Sequence, residues 1–95
     1  MPDRLDDVEV ERLLEDLPGW RFEEGALKKQ FVFRDFADAF AFMTATAAKA
    51  EELNHHPDWA NSYNRVDISL RTHSAGGVTS LDVELARAID DFAAQ

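Results

Sequence analysis

Apolar residues recur along this chain with two alternating periods, and the alternation marks out its elements. Val10, Leu13, Leu14 and Leu17 fall at steps of three and four, which predicts a helix over Asp6 to Leu17. Asp6 with Glu9 has the form of a capping box, and Pro18-Gly19 ends the helix. Trp20 to Phe22 predicts a short strand, Glu24-Gly25 a turn, and Ala26 to Phe33 the returning strand. Leu27, Phe31 and Phe33 share one face of that strand, interrupted by Lys29. Asp35 is placed to cap a long helix that runs to about Asn54, with Pro57 marking its end. Phe36, Phe40, Met43 and Ala47 predict its inward stripe. Tyr63 to Thr72 predicts a third strand, because Val66, Ile68 and Leu70 alternate with Arg65, Asp67, Ser69 and Arg71. Ser74 to Val78 is a Gly-rich loop with room for a fourth strand. Thr79 caps a last helix whose Leu85, Ala86, Ile89 and Phe92 point inward. The order predicts an α+β domain: an antiparallel sheet of about four strands with three helices packed on one face.

Composition narrows the function. Ninety-five residues are read as one domain spanning 1–95, and no linker or repeat divides them. The chain is 45% hydrophobic and 31% charged, as in soluble globular proteins. No apolar run nears the roughly 20 residues that cross a bilayer, and MPDRLDDVEV lacks the apolar stretch of a signal peptide. Cysteine is absent, so disulfides, thiolate catalysis and Cys-ligated zinc are excluded, and a cytoplasmic location is expected. A formal net charge of -9 argues against nucleic acid and anionic membranes, since phosphate binding needs a basic footprint. The expected ligand is a small molecule, a basic surface or a second copy of the chain.

The three histidines, His55, His56 and His73, all lie in one short window. Imidazole, with an unperturbed pKa of about 6.5, is the side chain best matched to proton transfer near neutral pH. His55 and His56 fall at a helix end and His73 at a strand end, places from which polar side chains converge on a pocket. Glu51 lies four residues before His55, on the same helical face. A histidine at a helix C-terminus also serves simply as a partner for the dipole, but three of them beside a carboxylate point to a site. Zinc is disfavoured, because the i, i+4 spacing of a helical ligand pair joins Glu51 to His55 rather than two histidines; no metal is expected.

The string Glu51-x3-His55-His56-Pro57, followed by Tyr63, His73 and Asp82, resembles the signature of the pterin-4a-carbinolamine dehydratases. These are also known as dimerization cofactors of a homeodomain transcription factor. LPGW at Leu17 to Trp20, the run from Lys28 to Met43, NHHPDW and the STH-like RTH at Arg71 to His73 extend the resemblance over nearly the whole chain. Asn54 stands where animal members usually carry Asp. The resemblance implies dehydration of 4a-hydroxytetrahydrobiopterin to quinonoid dihydropterin, without metal or cofactor, in a homodimer or homotetramer. It implies His55, His56 and His73 as catalytic residues and Glu51 and Asp82 as supporting ones. His56 would also bind and orient the pterin. Trp59 and Tyr63 are candidates to wall the pocket and stack on the flat ring. Thr79 and Asp82 read equally as a capping box.

The chemistry fits these side chains. Loss of water from a carbinolamine needs a proton delivered to the 4a-hydroxyl and one removed from N5, steps suited to general acids and bases near the working pH. The competing reading is a non-catalytic binding or assembly module of the same fold. Such proteins tend to lose the histidines, which this chain retains.

Overall fold

The computed structural model describes residues 2–95. Asp6 caps helix α1 (Asp7–Leu13) through the expected box: its side chain accepts from the Glu9 backbone, and Glu9 returns a bond to the Asp6 N–H. The predicted continuation to Leu17 is a single 3-10 turn, Leu14–Asp16, which ends before Pro18. Strands β1 (Arg21–Glu23) and β2 (Ala26–Val32) form a hairpin. Its two-residue turn puts Glu24 at φ 53° and Gly25 at φ 75°, the paired left-handed conformation that a tight hairpin requires. Helix α2 (Phe36–Leu53) starts at Asp35, whose side chain accepts from the Asp38 N–H. A second hairpin, β3 (Asp58–Ser62) and β4 (Arg65–Leu70), leads through a 3-10 turn at His73–Ala75 into α3 (Ser80–Ala93).

The strands make one antiparallel sheet in the order β1-β2-β4-β3. Leu27, Phe31, Val66, Ile68 and Leu70 point from one face of the sheet into the core, against Ala39 and Phe42 of α2 and Leu85, Ala86 and Ile89 of α3. Lys29, which interrupts the apolar face of β2, is accommodated by an ion pair. Its Nζ donates to Asp90 at 2.9 Å and to the Pro18 carbonyl at 2.8 Å, above the Phe31 ring. The stem is buried while the head reaches a partner.

Two expectations are corrected here. The fourth strand is β3 and does not lie in the Gly-rich loop, which contributes only a Thr72–Gly77 bridge. Strand β3 lies at the sheet edge and reads Asp-Trp-Ala-Asn-Ser, with no β-branched residue, so propensity hides it. Correspondingly, the third predicted strand starts at Arg65 rather than Tyr63. Tyr63 sits in the hairpin turn at φ 50°, where the Asn61 side chain bonds the Tyr63 and Arg65 carbonyls.

The inward face of α2 is also different. Ala39, Phe42, Thr46 and Ala50 are buried, whereas Phe36 is 46% and Phe40 55% exposed. Ala47 is exposed and Met43 is half-buried. This helix carries apolar residues on nearly every side, so its periodicity has two solutions. The sheet takes the one whose small residues allow close approach.

Candidate functional site

The site begins with the way α2 stops. Asn54 adopts the left-handed conformation (φ 50°, ψ 45°), which Asn tolerates better than most side chains. The Asn54 N–H then bonds the Glu51 carbonyl at 3.1 Å, and the His55 N–H reaches back to Ala50 at 2.9 Å. This closing turn takes His55 off the helical path. Glu51 therefore does not pair with His55, as i, i+4 spacing predicted. It meets His56 instead, with 2.5 Å between Oε2 and Nε2, both groups being largely exposed.

His55 turns inward to Asp82, the N3 residue of α3. The distance from His55 Nε2 to Asp82 Oδ1 is 2.5 Å, and Asp82 is 0% exposed. The other carboxylate oxygen accepts from the Thr79 backbone N–H and from the Thr72 hydroxyl, each at 2.9 Å. Asp82 thus closes the capping box of α3 and pairs with His55 at the same time. The Thr72 hydroxyl spends its proton on Asp82. It must therefore accept from Thr79 Oγ1, 2.8 Å away, whose second role is to accept from the Leu81 N–H. The carboxylate and both hydroxyls of this buried network are satisfied. With a carboxylate facing it, Nε2 of His55 is assigned the proton, and Nδ1 is the nitrogen left for a ligand.

His73 opens the 3-10 turn after β4, at the level of Asp58, the first residue of β3. Its Nε2 lies 3.3 Å from Asp58 Oδ2. Each histidine therefore has its own carboxylate: Asp82, Glu51 and Asp58 respectively.

All three histidines line one open cavity of about 270 Å³ with Asn54, Arg71, Thr72 and Ser74. That is close to the lower end of small-molecule sites, roughly 300–1,000 Å³. A larger groove of about 570 Å³ lies on the sheet face away from the helices, lined by Arg21, Lys28, Gln30, Asp58, Asp67 and Ser69 among others. It contains no histidine. The smaller cavity holds the groups able to move protons, and Asp58 joins the two.

Two predicted ligand-stacking residues lie outside the histidine cavity. Trp59 is half-buried against the core and borders the larger groove. Tyr63 is 64% exposed in the β3–β4 turn. That turn is about four residues from Asp58 along β3, roughly 13 Å at strand rise. Conversely, Asp58, Thr72 and Arg71 belong to the site and escaped sequence reasoning. Arg71 and Thr72 immediately precede His73 in the chain, which is the one signal available for them. Among the described residues no group of acidic or imidazole side chains is arranged to hold a metal ion. Among the same residues no helix is long and apolar enough to cross a membrane.

Comparison with known proteins converges on one family. The profile described as pterin 4 alpha carbinolamine dehydratase matches residues 3–92. A protein of Synechococcus sp. strain WH7803, which bears that dehydratase name provisionally, is 52% identical over 90 residues, covering 95% of this chain and 97% of its own. A relative from Rhodospirillum rubrum, named in the same way, is 51% identical over 92 residues, covering 95% of this chain and 96% of its own. A crystal structure described as a transcriptional coactivator/pterin dehydratase from Brucella melitensis superimposes with a TM-score of 0.94 at 45% identity, over 96% of this chain and 99% of that one. A pterin dehydratase-like protein described as a RuBisCO assembly factor in the alpha-carboxysome is similar at a TM-score of 0.64 and 28% identity, over 78% of this chain and 86% of that one. The chain belongs to the pterin 4 alpha carbinolamine dehydratase family.

Proposed function

We propose that this chain is a hydro-lyase that dehydrates 4a-hydroxytetrahydrobiopterin to quinonoid dihydropterin, in support of tetrahydrobiopterin recycling. The observation that carries the reading is the convergence of three carboxylate-paired imidazoles on one cavity. In the reaction a proton goes to the 4a-hydroxyl, the C4a–O bond breaks and water leaves. The N5 proton departs to a base, so the enzyme ends the cycle with its protons restored. His55 and His73 are proposed as the acid and base. Asp82 acts through His55 as a positioning residue, fixing its ring from a buried, fully bonded carboxylate. His56, held by Glu51 at the rim, is proposed to orient the pterin and to share in proton transfer. No metal or cofactor enters these steps.

The test is accelerated decay of the 4a-carbinolamine absorbance by purified protein over the spontaneous rate. His55→Ala and His73→Ala are each expected to lower the rate roughly 10²–10⁴-fold, the usual worth of a general acid or base. His56→Ala is expected to raise KM more than it lowers kcat. A His55→Ala/His73→Ala double variant as fast as the wild type removes the histidines from the mechanism. The alternative, a non-catalytic binding module, then becomes the better reading. It is the one suggested by the assembly-factor description of the neighbour at 28% identity.

Self-association into a homodimer or homotetramer belongs to the same proposal. Phe36 and Phe40 stand side by side on the outer face of α2, with ring centroids 5.7 Å apart, and β3 leaves an unpaired sheet edge. A second copy of the chain is the proposed cover for both. Sedimentation at micromolar concentration is expected to show a species of at least twice 10.7 kDa; a 10.7 kDa species alone overturns it.

A further inference from the structure

The His73 side chain is 71% exposed, so packing does little to hold it and its place is set by its backbone. That backbone folds on itself. The Ala75 N–H bonds the Thr72 carbonyl at 3.0 Å, and the Gly76 N–H bonds the His73 carbonyl at 3.2 Å. Thr72 and Gly77 exchange N–H bonds at 2.8 and 3.3 Å, which closes the loop. From inside, the Thr72 hydroxyl ties the loop to Asp82. From outside, the residues ahead of α1 cross it. The Leu5 N–H donates to the Val78 carbonyl at 2.8 Å, and the Leu5 side chain packs against the core. The stem of Arg4 lies over Gly77, where an added Cβ would stand 2.8 Å from Arg4 Cδ and 3.1 Å from its Cγ. Arg4 is exposed and Gly77 buried, so the stem covers the loop while the charged head stays in water. The Asp6 capping box follows directly and fixes the far end of this crossing segment. Surface loops closed by a few backbone bonds open readily. A stem laid over Gly77 keeps water from competing for the bonds that close this one.

We propose that Arg4 and Leu5 are positioning residues for His73: as a strap across the Gly-rich loop they keep its imidazole at the cavity. The inference rests on the acid–base reading of His73 and deepens it. Neither residue lines the histidine cavity, so both act through the loop backbone. The leverage is large, because a misplacement of about 1 Å at a reacting group costs roughly 10²-fold in rate.

The test is the carbinolamine dehydration assay on the full chain, well below its unfolding temperature. Arg4→Ala removes the stem and is expected to lower kcat about tenfold with KM little changed, a smaller loss than that of His73→Ala. Gly77→Ala should do the same, because the new methyl lifts the stem away. In the Arg4→Ala/Gly77→Ala double variant the second change should add little. Leu5→Pro, which deletes the bond to Val78 and keeps an apolar side chain, should match Arg4→Ala. If it does not fold, the two surface variants carry the test. The deciding background is His73→Ala. There Arg4→Ala should change nothing, since no imidazole remains to be held. A tenfold loss in that background makes Arg4 a general support of the fold and overturns the inference. Amide hydrogen exchange at Thr72 and Gly77 should quicken in Arg4→Ala, and faster exchange with kcat unchanged also overturns it. Dehydration that Arg4→Ala and Gly77→Ala leave untouched sinks this inference alone. A wild type that does not dehydrate the carbinolamine sinks the catalytic reading, and the strap's role in it falls too.

Discussion

His55–Asp82 and His56–Glu51 are the same chemical pair at the same 2.5 Å separation, on adjacent histidines, yet they live in different media. Asp82 is wholly buried and accepts from Thr72 and Thr79 as well as facing His55. Glu51 and His56 are mostly in water. Distance alone therefore does not rank the two pairs. A buried carboxylate holds its partner rigidly, because each of its bonds replaces lost hydration. An exposed one exchanges solvent for a contact of similar worth. The inner pair fixes where a histidine stands; the outer pair lets a histidine move at the rim.

The largest effect expected from breaking this symmetry is on stability. Asp82→Ala removes the helix cap, strands the Thr72 hydroxyl and leaves His55 unpaired in the interior. A loss of about 3–5 kcal/mol is expected, as for other broken buried pairs. Glu51→Ala should cost less than about 1 kcal/mol. Urea unfolding of the two variants side by side checks the contrast, and equal losses would void it. In the dehydration assay Glu51→Ala should mainly raise KM, since His56 loses its tether but not its ring.

Burial divides α2 in the same way. Phe42 packs on the Phe31 and Phe33 rings with centroids 5.1 and 4.8 Å apart, while Phe40 stands outside. Phe42→Ala should cost about 3–5 kcal/mol in the folded chain. Phe40→Ala should cost less than about 1 kcal/mol at protein concentrations where the chain is monomeric. If α2 is an interface between copies, the Phe40 cost should grow with protein concentration, which sharpens the contrast into a test of assembly.

These contrasts also show what the sequence could carry. Caps, turns and alternation are local, so Asp6, Asp35, Thr79, the Glu24-Gly25 turn and the apolar face of β4 were legible. The choice of face on α2 was not, because Phe36/Phe40 and Ala39/Phe42 satisfy the same period and only the sheet decides between them. Edge strand β3 was hidden by its polar composition. The site divided likewise. Its histidines and two of its acids, Glu51 and Asp82, were legible, but not their pairing, because one left-handed residue, Asn54, redirects the chain and exchanges the partners of Glu51. Asp58 and Arg71 enter the site through hairpin register, a long-range fact. Asp82 was visible both as a cap and as a site acid, and the structure joins the two roles in one carboxylate.

The smallest expected effect lies at the exposed limit of the comparison. Glu24, in the β1–β2 turn, accepts from Lys28 Nζ at 2.6 Å and is fully exposed. The hydrogen bond from Lys28, followed by its positive charge, holds the Glu24 carboxyl below its ordinary 4.5. A carboxylate depressed in the folded state contributes stability that is present above its unfolded value and fades as pH falls through the lower folded one. Any contribution of this pair is thus complete at neutral pH and vanishes only in acid. Water screens it throughout, so it stays too small to register in unfolding. Lys28→Ala should return the Glu24 titration, followed by NMR, upward toward 4.5 while leaving the urea midpoint at pH 7 in place. A midpoint that falls as it does in Asp82→Ala would mean that the exposed pair matters as much as the buried one, and burial would no longer explain the difference between them.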